Sequence, residues 1–195
     1  SNIKRNNVIP DGGVYYRGGE QCLQCLNHTV IKGLTHPSCT YVSETEPTAI
    51  YTSGQQFPSD LKFGDIYVEG DFAYSYGNYK QGWSVVALNN QKYYGIIVSE
   101  ISNKPVISMD YTFKNCSSLI TSPIIPSTIN TMIETFYNCY CLTIDENLII
   151  PEGVTNMDST FFGCAFLFSK KGTLTINANP RIFSDVLNGV PKQGI

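Results

Sequence analysis

The chain is short of charge. Only 15% of its 195 residues are Asp, Glu, Lys or Arg, against roughly 25% in an average soluble protein. What charge there is nearly cancels, leaving a formal net of −3 and a pI near 5.3. A nucleic-acid partner requires a basic face to neutralise phosphates, so none is expected. No apolar run reaches the ~18 residues that cross a bilayer, so direct membrane insertion is not expected either. Residues 1–6 hold no apolar stretch of the kind a secretory leader carries, and the chain opens on Ser1 rather than Met. The chain is therefore expected to be a processed or engineered fragment, which leaves open a removed signal peptide or a missing anchor domain. Catalytic signatures are missing as well: there is no Gly-x-Ser-x-Gly, no His-Glu-x-x-His and no phosphate loop ending in Gly-Lys-Ser/Thr. Two carboxylates would suffice for a glycosidase, but Asp145 and Glu146 read most simply as a solvated turn. The expectation is a protein that is not an enzyme.

What is present is aromatic, small-polar and repetitive. Hydrophobic residues make up 42% of the chain, with 13 Tyr and 10 Phe, which supports a packed core rather than disorder. Three stretches repeat one pattern. Met109, Phe113, Cys116 and Leu119 are followed by Met132, Phe136, Cys139 and Leu142, then by Met157, Phe161, Cys164 and Leu167. Phe183, Leu187 and Val190 stand where a fourth Met, Phe and Cys would fall, as in a degenerate cap. The spacing marks one face of a short helical turn. Between these turns lie β-prone stretches at 123–126, 148–151 and 173–176, two of them closed by Pro, which a strand end tolerates. Each unit is thus expected to be one short strand plus one short helical turn, buried only by stacking on its neighbours. Cys116, Cys139 and Cys164 share one repeat position and are expected to pack as a buried column. Cys141 falls outside that column, nearer the surface.

The pattern Met-x-x-Thr-Phe-x-Asn/Gly-Cys-x-x-Leu, followed by Ile-Ile-Pro, resembles the BspA-type leucine-rich repeats, most closely at Met157, Phe161, Gly163 and Cys164. The resemblance covers less than half of the chain. It implies a leucine-rich-repeat solenoid and a bacterial cell-surface or phage-encoded protein acting in attachment. The partner so implied is a cell-surface protein or glycan, met outside the cell, at the cell surface or on a virion. A structural or assembly role in a surface protein or phage virion, with self-association, is the alternative.

Residues 1–100 lack the repeat and read as a small β domain, ahead of a solenoid over 101–195. Alternating segments at 65–69 and 72–76 flank Gly70 and Asp71, a pair suited to a tight hairpin turn. Segments at 83–88 and 93–98 read as two more strands, and 49–51 and 14–16 as others. Strand 93–98 is expected to run into the solenoid and cap its first repeat. The fold class expected is therefore mostly β with short helices.

Two residue groups carry candidate chemistry. Cys22, Cys25, His36 and Cys39 form two x2-spaced pairs, a form suited to four N/S ligands around a structural zinc ion, with His28 as an alternative ligand. The same cysteines could instead form a disulfide or stay ordinary thiols. A cysteine-dependent hydrolase would use Cys22 or Cys25 with a His as base, on no support beyond the residue types. The second group is the aromatic cluster between Tyr67 and Tyr94. About half of its side chains should face outward on alternating strands. Tyr74, Tyr76, Tyr79 and Trp83 are candidate ligand-binding residues, since exposed rings suit sugar or protein contact. A purely interior role for these rings is the competing reading.

Overall fold

The computed structural model describes residues 14–15, 29–30, 49–52, 61, 65–77 and 82–192. Ten strands are formed: β1 (Val14–Tyr15), β2 (Thr29–Val30), β3 (Ala49–Thr52), β4 (Asp65–Glu69), β5 (Phe72–Tyr76), β6 (Trp83–Ala87), β7 (Glu100–Ile101), β8 (Lys104–Ser108), β9 (Asn147–Ile150) and β10 (Thr173–Ile176). A curled mixed sheet runs in the order β3-β4-β5-β6-β8-β7, with β7 a short antiparallel addition to β8. β1 pairs with β2, and β9 with β10.

The hairpin expected at Gly70 is present. β4 and β5 pair antiparallel, with Glu69 opposite Phe72, and Gly70 takes φ +59. β5 continues antiparallel onto β6, and every side chain of both strands is buried. One face of this pair carries Phe72, Tyr74, Tyr76, Trp83, Val85 and Ala87. The other carries Ala73, Val86 and Leu88, with Val68 packed against them.

The strand expected at 93–98 does not form. Its groups bond elsewhere: the Gly95 N–H donates to Asp71 Oδ2 (2.7 Å) and the Val98 N–H to Tyr74 Oη (3.0 Å). A backbone donor held by a side chain is withdrawn from any ladder. The strand beside β6 is instead β8, in parallel. Residues 123–126 also form no strand, unlike 147–150 and 173–176. Pro123 and Pro126 lack the N–H a ladder requires.

The helical turn expected in each repeat is not there: among the described residues there is no helix, so the architecture is not a strand-plus-helix solenoid. Backbone handedness is the reason. Tyr111, Glu134, Ser159 and Asp185 take φ of 61, 49, 51 and 54. Asn115, Asn138, Gly163 and Gly189, four positions later, take 61, 59, 75 and 78. Left-handed residues at this frequency cannot continue a right-handed helix. Each unit is a run of tight turns, closed in the first by N–H groups of Thr112, Lys114 and Cys116 donating to carbonyls of Met109, Tyr111 and Phe113. Such turns also bring side chains three and four apart onto one face, which is why the spacing resembles a helix.

These runs stack as rungs. Parallel bridges connect Ser108, Thr131, Asn156 and Ile182 in succession. The Phe113, Phe136 and Phe161 rings lie nearly parallel, with centroids 5.4 and 5.2 Å apart. The Met, Phe, Cys and Leu of three rungs are buried in one cluster with β5, β6 and β8. The repeated Thr ties each rung to the one before. Thr112 Oγ1 donates to the Val85 carbonyl (2.7 Å), Thr135 to Met109 (2.7 Å) and Thr160 to Met132 (2.8 Å). Each such buried bond contributes about 1 kcal/mol, and leaving its acceptor unpaired would cost more. β6 thus serves as the rung before the first. At Gly172 the chain passes so close to the Ile144 carbonyl that a Cβ would lie 2.1 Å from its oxygen.

Candidate functional site

The side of the stack that carries residues 94–100 and 122–127 is built from short, pinned segments. Asp71, in the β4–β5 turn, accepts from the Gly95 N–H and from Gln91 Nε2 (3.3 Å). Tyr94 packs its ring at 5.5 Å from Phe72 and 5.2 Å from Phe113. Burial raises the Tyr94 and Tyr74 hydroxyls well above their ordinary pKa, so both stay protonated; Tyr94 Oη donates to the Asn89 carbonyl, and Tyr74 Oη accepts from the Val98 N–H. With its neighbours held this way, Ile96 points outward and is 86% exposed. Across from it Ile124, flanked by Pro123 and buried Ile125, is 89% exposed.

Ile124 is the ridge between two adjoining hollows. One, of about 660 Å³, lies between Ile96, Val98, Pro123, Ile124 and Pro126. The other, of about 610 Å³, continues past Ile124 to Leu148, Ile149 and Pro151. Ile149 is 47% exposed and sits beside Thr175 in the β9–β10 register. Glu100 and Glu152 edge the two hollows. The result is an aliphatic strip on a backbone fixed by proline and by side-chain hydrogen bonds. The surface can exclude water from an apolar partner; nothing in its lining is a nucleophile held beside a base.

The residues singled out from the sequence fall differently. Tyr74 and Trp83 are fully buried and Tyr76 nearly so, with the Tyr76 and Trp83 rings 5.1 Å apart edge to face. Trp83 Nε1 donates to the Ile101 carbonyl (3.0 Å). None of these three rings presents a face to solvent. Tyr79, and Cys22, Cys25, His28, His36 and Cys39, lie outside the described residues. Among the described residues no group of three or more His, Cys, Asp or Glu is placed to share a metal ion.

The repeat thiols pack as expected. Cys116, Cys139 and Cys164 are buried and Cys141 is exposed. The Cys139 thiol donates to the Phe113 carbonyl and that of Cys164 to Phe136, both at 3.0 Å. Burial pushes Cys116 and Cys164 up to about 12 and Cys139 well above the ordinary thiol range. The column is therefore thiol, not thiolate, at neutral pH, and inert as a nucleophile.

The sequence did not point to Ile96 or Ile124, because one sits in a segment that read as a strand and the other in a β-prone stretch closed by Pro. The prolines at 123 and 126 were the available signal, since they keep that segment out of a ladder. No protein-family model, no curated protein and no solved structure matches the chain.

Proposed function

We propose that this protein is a non-enzymatic recognition module that attaches through the strip formed by Ile96, Pro123, Ile124 and Ile149. One observation carries the reading: two isoleucines stand 86% and 89% exposed on rigid backbone, beside hollows of about 660 and 610 Å³. Contiguous exposed apolar surface on a folded protein marks an interaction site more often than chance. The aliphatic lining favours a protein partner over a glycan, because sugar recognition relies on flat exposed rings with polar groups beside them. The resemblance of the repeats to BspA-type sequences points to attachment at a cell surface or on a virion, outside the cell.

The test compares wild type with the double variant Ile96→Asp, Ile124→Asp. Labelled protein is titrated onto bacterial envelopes, immobilised mucin and extracellular-matrix protein. Saturable binding by wild type, weakened at least about tenfold in the double variant, is expected, since burying two charges in an apolar contact costs well over 1.4 kcal/mol. Equal binding by both proteins, or none by wild type on any surface, would overturn the reading.

A further inference from the structure

Between the first two rungs the ladder opens. On one side of the gap the Thr143 N–H donates to the Ile120 carbonyl (2.7 Å), and on the other the Thr155 N–H donates to the Asn130 carbonyl (2.8 Å). Between these two bonds, segment 122–126 and β9 make no backbone bond to each other. Pro123 and Pro126 have no N–H to offer. The hollow of about 610 Å³ beside Ile124 lies in this gap, and Asn147, Ile149 and Glu152 line its far side. Paired backbone bounds the opening on both sides, so it belongs to the middle of the stack and not to either end of it.

One edge of β9 is paired and the other is open. The Thr173 and Asn177 N–H groups donate to the Glu146 and Ile150 carbonyls (2.8 and 3.0 Å). Residues of a parallel pair alternate in the direction of their backbone groups. Leu148 and Ile150 therefore aim theirs at β10, and Asn147 and Ile149 aim theirs at the hollow. The N–H and C=O groups of Asn147 and Ile149 bond to no other backbone group among the described residues.

We propose that β9 takes an added strand here: an extended polypeptide segment of the attachment partner that pairs with Asn147 and Ile149 in the hollow. This rests on the reading of the strip as the attachment surface, and it names what the partner presents. Strand addition uses main-chain donors and acceptors together, and this edge offers both. A glycan or an acyl chain has no row of amides to match it. Exposed Ile124 and Ile149 favour aliphatic side chains at alternate positions of the segment. Glu152 is exposed and no Lys, Arg or His lines the hollow, so a basic residue beside the aliphatic ones is complementary. A second copy offering its own β9 is disfavoured by shape, because that strand lies behind the same Ile124 ridge.

Ile149→Pro tests the pairing, because it removes an N–H that β10 does not use, at an edge where Pro is tolerated. Ile149→Ala is its control: it trims the side chain and keeps the N–H. Both variants and wild type are titrated onto bacterial envelopes, mucin and extracellular-matrix protein. Ile149→Pro is expected to bind about tenfold more weakly than Ile149→Ala, for one lost hydrogen bond and a stranded carbonyl. Equal binding by the two variants overturns strand addition and leaves the strip as the attachment surface; no binding by wild type sinks both readings. Amide hydrogen exchange on the unsubstituted full chain decides the matter if Pro disturbs β9. Asn147 and Ile149 should exchange readily in the protein alone. They should slow at least about tenfold with about 1 mM of a pentapeptide that alternates Val with Thr and Lys. The same peptide with its backbone N-methylated should give no protection. Absence of protection, or protection by the N-methylated peptide, overturns the proposal. So does protection in the protein alone, since another part of this chain or a second copy would then hold the edge.

Discussion

The Phe136 ring is the middle of three, and removing it should reveal how the rungs are coupled. It is fully buried, stacked at 5.4 Å on Phe113 and 5.2 Å on Phe161. Phe136→Ala loses the transfer free energy of the side chain and leaves a void between two rings. For a buried Phe this costs about 3–5 kcal/mol. Two ring contacts are also lost, each contributing about 0.5–1.5 kcal/mol beyond area, so the upper part of that range is expected. Phe136→Leu fills most of the volume without a ring and should cost about half as much. Tyr137→Ala is the control: that ring also stacks, at 4.6 Å on Phe162, but on the half-buried outer side. Its loss should cost about 1 kcal/mol. Urea unfolding followed by tryptophan fluorescence measures all three, since Trp83 is the single Trp and lies in the same core. A cycle with Phe161→Ala should give a coupling of about 1 kcal/mol, as expected for touching residues. If Phe136→Ala costs no more than Tyr137→Ala, the buried Phe column does not exist and the stacking argument fails.

The thiol column makes two further predictions. Of Cys116, Cys139, Cys141 and Cys164, only Cys141 should be alkylated by iodoacetamide in the native protein near pH 8, and peptide mass mapping reads which carry the label. Stability should fall as pH rises above 9, because burial holds Cys116 and Cys164 protonated up to about 12 while the unfolded chain releases those protons near 9. A raised folded pKa leaves the contribution whole below 9 and removes it on the way to 12, at about 1.4 kcal/mol per thiol per pH unit. Urea midpoints at pH 8, 9 and 10 should show this decline, and Cys164→Val should reduce its slope; a flat profile would refute burial of the column. Asp110 is fully buried, and its Oδ1 accepts from Thr131 Oγ1 and the Ile133 N–H, both at 2.8 Å. Asp110→Ala strands both donors and should cost about 2–3 kcal/mol. Asp110→Asn keeps an acceptor and should cost less by urea titration.

The period of the repeat was legible because each rung buries the same four side chains. All three methionines of the chain fall in one column, and the degenerate unit at Phe183, Leu187 and Val190 takes the register its spacing suggests. The conformation was not, because offsets of three and four residues are shared by a helix and by a series of tight turns. The distinguishing letters were Asn115, Asn138, Gly163 and Gly189, the residue types that tolerate positive φ best. Positive φ at Tyr111 and Glu134 leaves no such signal; there the stacked neighbour decides. The β4–β5 hairpin was legible from Gly70 and Asp71, whereas the loss of a strand at 93–98 depends on Asp71 and Tyr74, more than 20 residues away in sequence. The exposed strip followed from the same long-range contacts, so no local pattern announced it.

The two ends of the stack are unlike in what covers them. Along the turn runs the backbone N–H groups of each rung donate to the following rung, whereas those of Asn130, Thr155 and Arg181 donate to the preceding one. The first rung is closed by β6, where Thr112 repeats toward Val85 the bond that Thr135 makes to Met109. That end also holds the largest buried rings, Trp83, Tyr74 and Phe72. Among the described residues, nothing covers the last rung, where Phe183 is exposed and Leu187 nearly half-exposed. Stability built from nearest-neighbour contacts should then decrease from the sheet toward the last rung.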